Sequence, residues 1–263
     1  MISRLWQAWR QRGERQALAR RAIDEVQWQR TLDSLPFIAR RSAAERTELR
    51  RLASLFLDRK EFTGSGGFIV SDEVALSVAV QACLPVLRLG IAQYDGFVGI
   101  VMHADQVVAA RESADEHGVV HRYDEVLSGE AMEGGPLMLS WADVRAAGVG
   151  DDGAADWGYN VVIHEFAHVL DMRDGVADGV PLLANAAARE QWLAVLMPEF
   201  DWFAERVVCG HDTVLDPYGA EGPEEYFAVA SEGFFVTPRK LKAQQPAMYR
   251  LLASYYRQDP AGG

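Results

Sequence analysis

Residues 161–174 read V-V-I-H-E-F-A-H-V-L-D-M-R-D, and the rest of the chain is best read outward from them. Val161, Val162, Phe166, Val169, Leu170 and Met172 recur as they would on a helix anchored in a core. On such a helix His164 and His168 stand one turn apart on one side, with Glu165 beside the first. Two imidazoles so spaced can reach one zinc ion at about 2.0 to 2.1 Å each. A third protein ligand would leave one corner for water, and the adjacent carboxylate can take that water's proton. The alternative is a pair of half-buried histidines that only pack. Chance produces the H-E-x-x-H spacing in roughly one such sequence in a hundred, which favours the metal reading. The helix is expected to start after Asp152 or Asp156 and to stop near Gly175.

Downstream, a loop through Asp174, Gly179 and Pro181 leads to a helical stretch from about 186 to 208, interrupted at Pro198. A turn at 215–219 then precedes Gly222-Pro223-Glu224-Glu225, a helix start with proline at its first position. Tyr226, Phe227, Val229, Ala230, Phe234 and Phe235 make this helix buried, and a carboxylate on it needs a partner, for which a divalent cation serves best. Glu225 and Glu232, seven apart, share a face; periodicity alone leaves Glu224, Glu225 and Glu232 level as the third ligand. Asp171, two turns from His164, is open to two readings: it receives the outer ring N–H of a ligand histidine, or it caps neighbouring backbone. Beyond Pro238 one or two final helices are expected.

Upstream, Ser42 with Glu45 forms a capping box for a helix reaching about residue 60, and Gly64 to Gly67 reads as a plain turn. Ser71 starts another helix that ends before Pro85. The apolar runs 98–102 and 106–110 look like paired strands, and a third run, 136–140, precedes a second capping box at Ser140 and Asp143. Residues 136–140 are either the edge strand along which an extended peptide would lie or an interior strand. The class is therefore α+β, mainly helical with a small mixed sheet.

Residues 1–60 carry 14 Lys+Arg against 7 Asp+Glu, and the remainder 12 against 31. The acidic body argues against nucleic acid as a partner. The basic segment, taken as a helical region over 1–66 packed on a catalytic region over 67–263 in one compact domain, would contact acidic protein, membrane headgroups or the acidic body itself. Its tryptophans suit a membrane surface, yet Glu14, Asp24 and Glu25 dilute that reading, and docking on the protein is preferred. Cys83 and Cys209 lie far apart, and both are expected reduced and buried. No apolar run approaches the roughly 18 residues of a membrane span, and arginines interrupt the first thirty residues, so a cytoplasmic location is expected.

Taken together, His164-Glu165-Phe166-Ala167-His168, Leu170-Asp171-Met172, Gly179-Val180-Pro181, Tyr218-Gly219, Glu225-Tyr226-Phe227-Ala228 and Ser231-Glu232-x-Phe234-Phe235 resemble the Mlc titration factor A family of bacterial zinc peptidases. The pattern is also similar to the catalytic domain of anthrax lethal factor, where a tyrosine lies seven residues before the distant glutamate, as Tyr218 lies before Glu225. The resemblance implies a zincin-like (gluzincin) fold and one Zn2+ held by His164, His168 and Glu225. It implies Glu165 as the base and Tyr218 as oxyanion donor, with Asp171 and Glu232 as candidates behind the ligands. It further implies an aminopeptidase acting on peptides and a partner resembling the repressor Mlc, which links the chain to glucose phosphotransferase genes. Glu130 or Glu133 would supply an acidic pocket for a peptide's free amino group. A rival reading is a regulatory protein that sequesters a repressor with little peptidase activity. A purely structural zinc would need a fourth ligand, and no further Cys or His stands at ligand spacing.

Overall fold

The computed structural model describes residues 12–114, 120–131, 134–147 and 157–262. Residues 12–20 are helical. Helices α1 (Glu25–Ser34), α2 (Pro36–Ala39) and α3 (Ala43–Arg59) follow, then strand β1 (Glu61–Gly64) and helix α4 (Asp72–Cys83). Strands β2 (Gly99–His103), β3 (Val107–Ala114), β4 (Val120–Leu127), β5 (Gly129–Ala131) and β6 (Leu137–Ser140) lead to α5 (Trp141–Ala146) and α6 (Val161–Asp171). Helices α7 (Ala186–Val208), α8 (Pro223–Val236), α9 (Pro238–Gln244) and α10 (Pro246–Tyr256) complete the order, so the described residues are mostly helical.

Several helix starts are set by side chains the sequence advertises. Ser42 and Glu45 close a reciprocal capping box on α3, and Ser71 Oγ accepts from Val74 N on α4. Ser140 Oγ likewise accepts from Asp143 N, and Pro223 occupies the first turn of α8. Helix α6 starts later than expected, capped by Asn160, whose Oδ1 accepts from Ile163 N; Asp152 and Asp156 lie outside the described residues. Helix α7 runs through Pro198 without a break.

The sheet has the order β1-β2-β6-β5, with β1, β2 and β6 parallel and β5 antiparallel to β6. Strands β2 and β3 are not paired with each other, because β2 lies between β1 and β6 while β3 pairs with β4 in a separate hairpin. Residues 137–140 form an interior strand, and the edge next to them is the three-residue β5. Beneath the sheet, Phe166 of α6 packs against Phe56 and Tyr94 with ring centroids 5.6 and 4.8 Å away. This anchors the side of α6 turned away from the histidines.

Trp28, Leu32, Phe37, Ile38, Leu49 and Phe56 belong to the same hydrophobic core as Phe166 and Phe234, so α1–α3 pack into the body. Part of their charge is answered nearby, by Arg20 with Asp58 (2.8 Å) and Arg50 with Glu25 (2.5 Å). Cys83 is buried, but Cys209 is exposed, since it caps the end of α7. Among the described residues, no helix is long and apolar enough to cross a membrane.

Candidate metal centre

Helices α6 and α8 pack together and carry the donors. His164 Nε2 lies 3.0 Å from Glu225 Oε2 and 3.1 Å from His168 Nε2, and His168 Nε2 lies 3.4 Å from Glu225 Oε2. Ligands about 2.0 to 2.1 Å from a tetrahedral ion stand about 3.3 Å apart, so these three atoms trace one face of such a tetrahedron. Glu225 reaches this point from the first turn of α8, while Glu224 lies back over Gly222, where an added Cβ would come within 2.5 Å of its Oε1.

Both ring nitrogens of His164 face carboxylates. Its Nδ1 is 2.8 Å from Glu232 Oε1, and the second oxygen of Glu232 accepts from Asn160 N. With the ring proton on Nδ1, donated to Glu232, Nε2 turns a lone pair toward the carboxylate of Glu225 and the ring nitrogen of His168. Three lone pairs then converge on one point, an arrangement that needs a cation. Burial disfavours a charged His164, but hydrogen bonds to Glu225 and Glu232 raise its pKa well above the ordinary value. Burial works against ionised Glu225 too, yet hydrogen bonds from His164 and His168 hold its carboxyl at about 2.

Glu165 is 5% exposed and rests on the edge strand: a Cβ added to Gly129 would lie 2.5 Å from its Oε1. Burial raises its carboxyl above the usual range, opposed by His164 and His168. Tyr218 sits in a 3-10 turn, Pro217–Ala220, fixed by Asp216 accepting from its N–H at 3.0 Å. Its ring is 42% exposed, with the centroid 6.0 Å from that of His164.

Asp171 does not reach either histidine. The chain reverses at Gly175, which has a left-handed backbone, and returns Gly179 N to Asp171 Oδ2 at 2.8 Å, so the backbone-capping reading holds. Burial pushes this carboxyl up to about 7 despite that bond. Glu130 follows Gly129 on β5 and pairs with Met138, on the face that strand alternation turns away from Glu165. Glu133 lies outside the described residues.

Three residues at the centre escape sequence reasoning. Asn160 caps α6 and holds Glu232, and its Nδ2 donates to Gln81 Oε1 at 2.8 Å. Gln81 in turn donates to Ser77 O at 3.2 Å, all within the core. A lone glutamine in the apolar run of α4 is the only trace of this network in the sequence. Gly129 left no trace, because its role depends on the pairing of β5.

Two imidazoles and a carboxylate that meet at one point beside a buried glutamate could hold a divalent metal, as a metallopeptidase requires. The model of the glucose-regulated metallopeptidase family M90 matches residues 6–257, and the chain belongs to that family. Its relatives include proteins named Mlc titration factor A. That of Pectobacterium atrosepticum is 37% identical over 89% of this chain and 86% of its own length. That of Yersinia pestis is 34% identical over 99% and 91%. A Synechocystis protein without an assigned activity is 35% identical over 89% and 84%.

Proposed function

We propose that the chain is a zinc-dependent aminopeptidase of zincin-like, gluzincin type that works in the cytoplasm. The observation that carries this reading is the meeting of His164, His168 and Glu225 beside Glu165. These three residues hold the ion. When bound, zinc lowers the pKa of its water and polarises the scissile carbonyl.

Glu165 takes the water's proton and passes it to the leaving amine, a role that its burial and raised pKa favour. Glu232, braced by Asn160, keeps the His164 proton on Nδ1 and so keeps Nε2 available to the ion. Tyr218 donates its hydroxyl to the developing oxyanion, a contact worth about 2.7 to 4 kcal/mol where such donors have been deleted. The peptide backbone lies along β5, above Glu165, where main-chain hydrogen bonds align it without demanding particular side chains.

The test is to purify the protein, measure bound zinc, and follow hydrolysis of free and N-acetylated peptide anilides. One zinc per chain, cleavage of the free peptide only, and a turnover about 10² to 10⁴ lower in Glu165→Gln are expected. A zinc-loaded Glu165→Gln with unchanged turnover would sink the assignment of the base, and equal cleavage of acetylated peptide would sink the aminopeptidase.

A second reading, sequestration of an Mlc-like repressor, is favoured by the names of the relatives and by the basic segment over 1–60. Co-purification of a one-to-one complex that Glu165→Gln leaves intact is expected from it. If that repressor passes unretained over the immobilised full chain, the reading fails.

A further inference from the structure

A cleft lies at the other end of helix α8. Glu225 and Phe235 are ten residues apart, about 15 Å along the helix axis. There a cleft of about 460 Å³ opens between the end of α2 and the junction of α8 with α9. Arg40, Arg41, Arg239 and Lys240 line it, over walls that include the rings of Phe37 and Phe235, and no carboxylate is among the lining residues. In a chain with net charge -12, four cations on one cleft are unusual.

Of the nearby acids, Glu45 acts on Arg41 through its charge but spends its hydrogen bonds elsewhere, and Asp259 is paired outside the cleft. Glu45 Oε2 accepts from Ser42 N and Oγ at 3.1 and 2.9 Å, and its Oε1 stands 3.7 Å from Arg88. Asp259 accepts from Tyr249 Oη at 2.5 Å and faces Lys242 at 3.7 Å. Arg41 lies over Phe235, its guanidinium carbon 5.8 Å from the ring centroid, and its buried Nη2 has no acceptor among the described residues. A buried guanidinium N–H without an acceptor is costly even where a carboxylate offsets part of the charge. Arg239 lies in the first turn of α9, the end of a helix where positive side chains are least favoured.

We infer that this cleft binds a small molecule through a phosphate-type dianion. The anion would enter between Arg41 and Arg239, answer the charge of both, and leave the remainder of the molecule against Phe37, Phe235 and Pro238. The inference does not depend on the peptidase reading.

Calorimetry on the full chain, stripped of metal by a chelator and held at constant ionic strength, tests it with pyrophosphate and inorganic phosphate as probes. Saturable binding at one site is expected, weakened about tenfold or more by Arg41→Gln and by Arg239→Gln, and unchanged by the distant Arg257→Gln. Should Arg41→Gln fail to fold, Arg239→Gln, at an exposed position, carries the same expectation. The inference is overturned if neither probe gives heat beyond a chloride control, or if the variants bind as the parent does.

Discussion

The two flanks of α6 each hold a buried carboxylate next to the same histidines, and the two are treated in opposite ways. On the α8 side Glu232, 3% exposed, has both oxygens engaged, one by His164 Nδ1 and one by Asn160 N. On the β5 side Glu165, 5% exposed, lies against the backbone of Gly129 and accepts no hydrogen bond among the described residues. Burial raises both carboxyls, but for Glu232 the bonds from His164 and Asn160 oppose it. A carboxylate with both oxygens committed can orient a neighbour but has little capacity left for a transferred proton. One that is buried and uncommitted is fit to take a proton. In the proposed mechanism the two glutamates would therefore take separate roles from their hydrogen bonds, not from their distance to the histidines.

The largest effect is expected from disturbing the uncommitted side. Gly129→Ala would place a Cβ within 2.7 Å of three atoms of the Glu165 side chain, so that carboxyl must move. Turnover should fall about 100-fold while zinc affinity stays within a factor of about two. If both fall together, the two flanks are not separable and the comparison fails. Next comes the committed side. Glu232→Gln can still accept one bond but loses the charge that holds the His164 proton, so zinc affinity should drop about 10- to 100-fold in a chelator competition. A loss confined to turnover, with affinity intact, would assign Glu232 to the chemistry instead.

How far the sequence leads differs between the same two flanks. His164, Glu165 and His168 are legible because one helix turn brings them together and no other part of the chain is needed. Glu225 is harder, since periodicity leaves it level with Glu224 and Glu232, and only the resemblance separates them. The structure gives the physical reason: Glu224 folds over Gly222, while Glu225 and Glu232 flank the two nitrogens of one imidazole. The edge strand is illegible for another reason. Three residues, Gly-Glu-Ala, carry no strand propensity, and their place is set by the register Gly129 with Leu139, a non-local pairing. The capping box at Ser42 marks its helix from sequence, and at Ser140 only half of the expected box forms because Ser140 N donates to Ser128 O, whereas Asn160 is masked by the aspartates before it.

A smaller effect tests the brace behind Glu232. Asn160→Ala removes the cap of α6 and the partner of Gln81, but leaves the backbone N–H that Glu232 accepts. A cost of about 1 kcal/mol in urea denaturation is expected, with zinc affinity lowered much less than in Glu232→Gln. Equal losses of affinity would mean that the side chain of Asn160, and not its backbone, positions Glu232.

Asp171 sharpens the comparison as a third buried carboxyl on α6, with one oxygen bonded to Gly179 N and the other without a hydrogen-bond partner among the described residues. Its folded pKa, about 7, stands above that of an unfolded aspartate, so the protonated form is the one that folding favours. Its contribution to stability is therefore complete below about pH 4, shrinks as pH rises, and is lost once pH passes the folded value. Between pH 6 and pH 8 the wild type should lose about 1 kcal/mol through this group. Asp171→Asn keeps an oxygen for Gly179 and cannot ionise, so the difference in stability between variant and parent should move in the variant's favour by that amount over the same interval. Urea midpoints at the two pH values measure it in one metal state. A difference that is flat with pH would place the charge of Asp171 with a counter-ion, and burial would then not be what distinguishes the carboxylates of this helix.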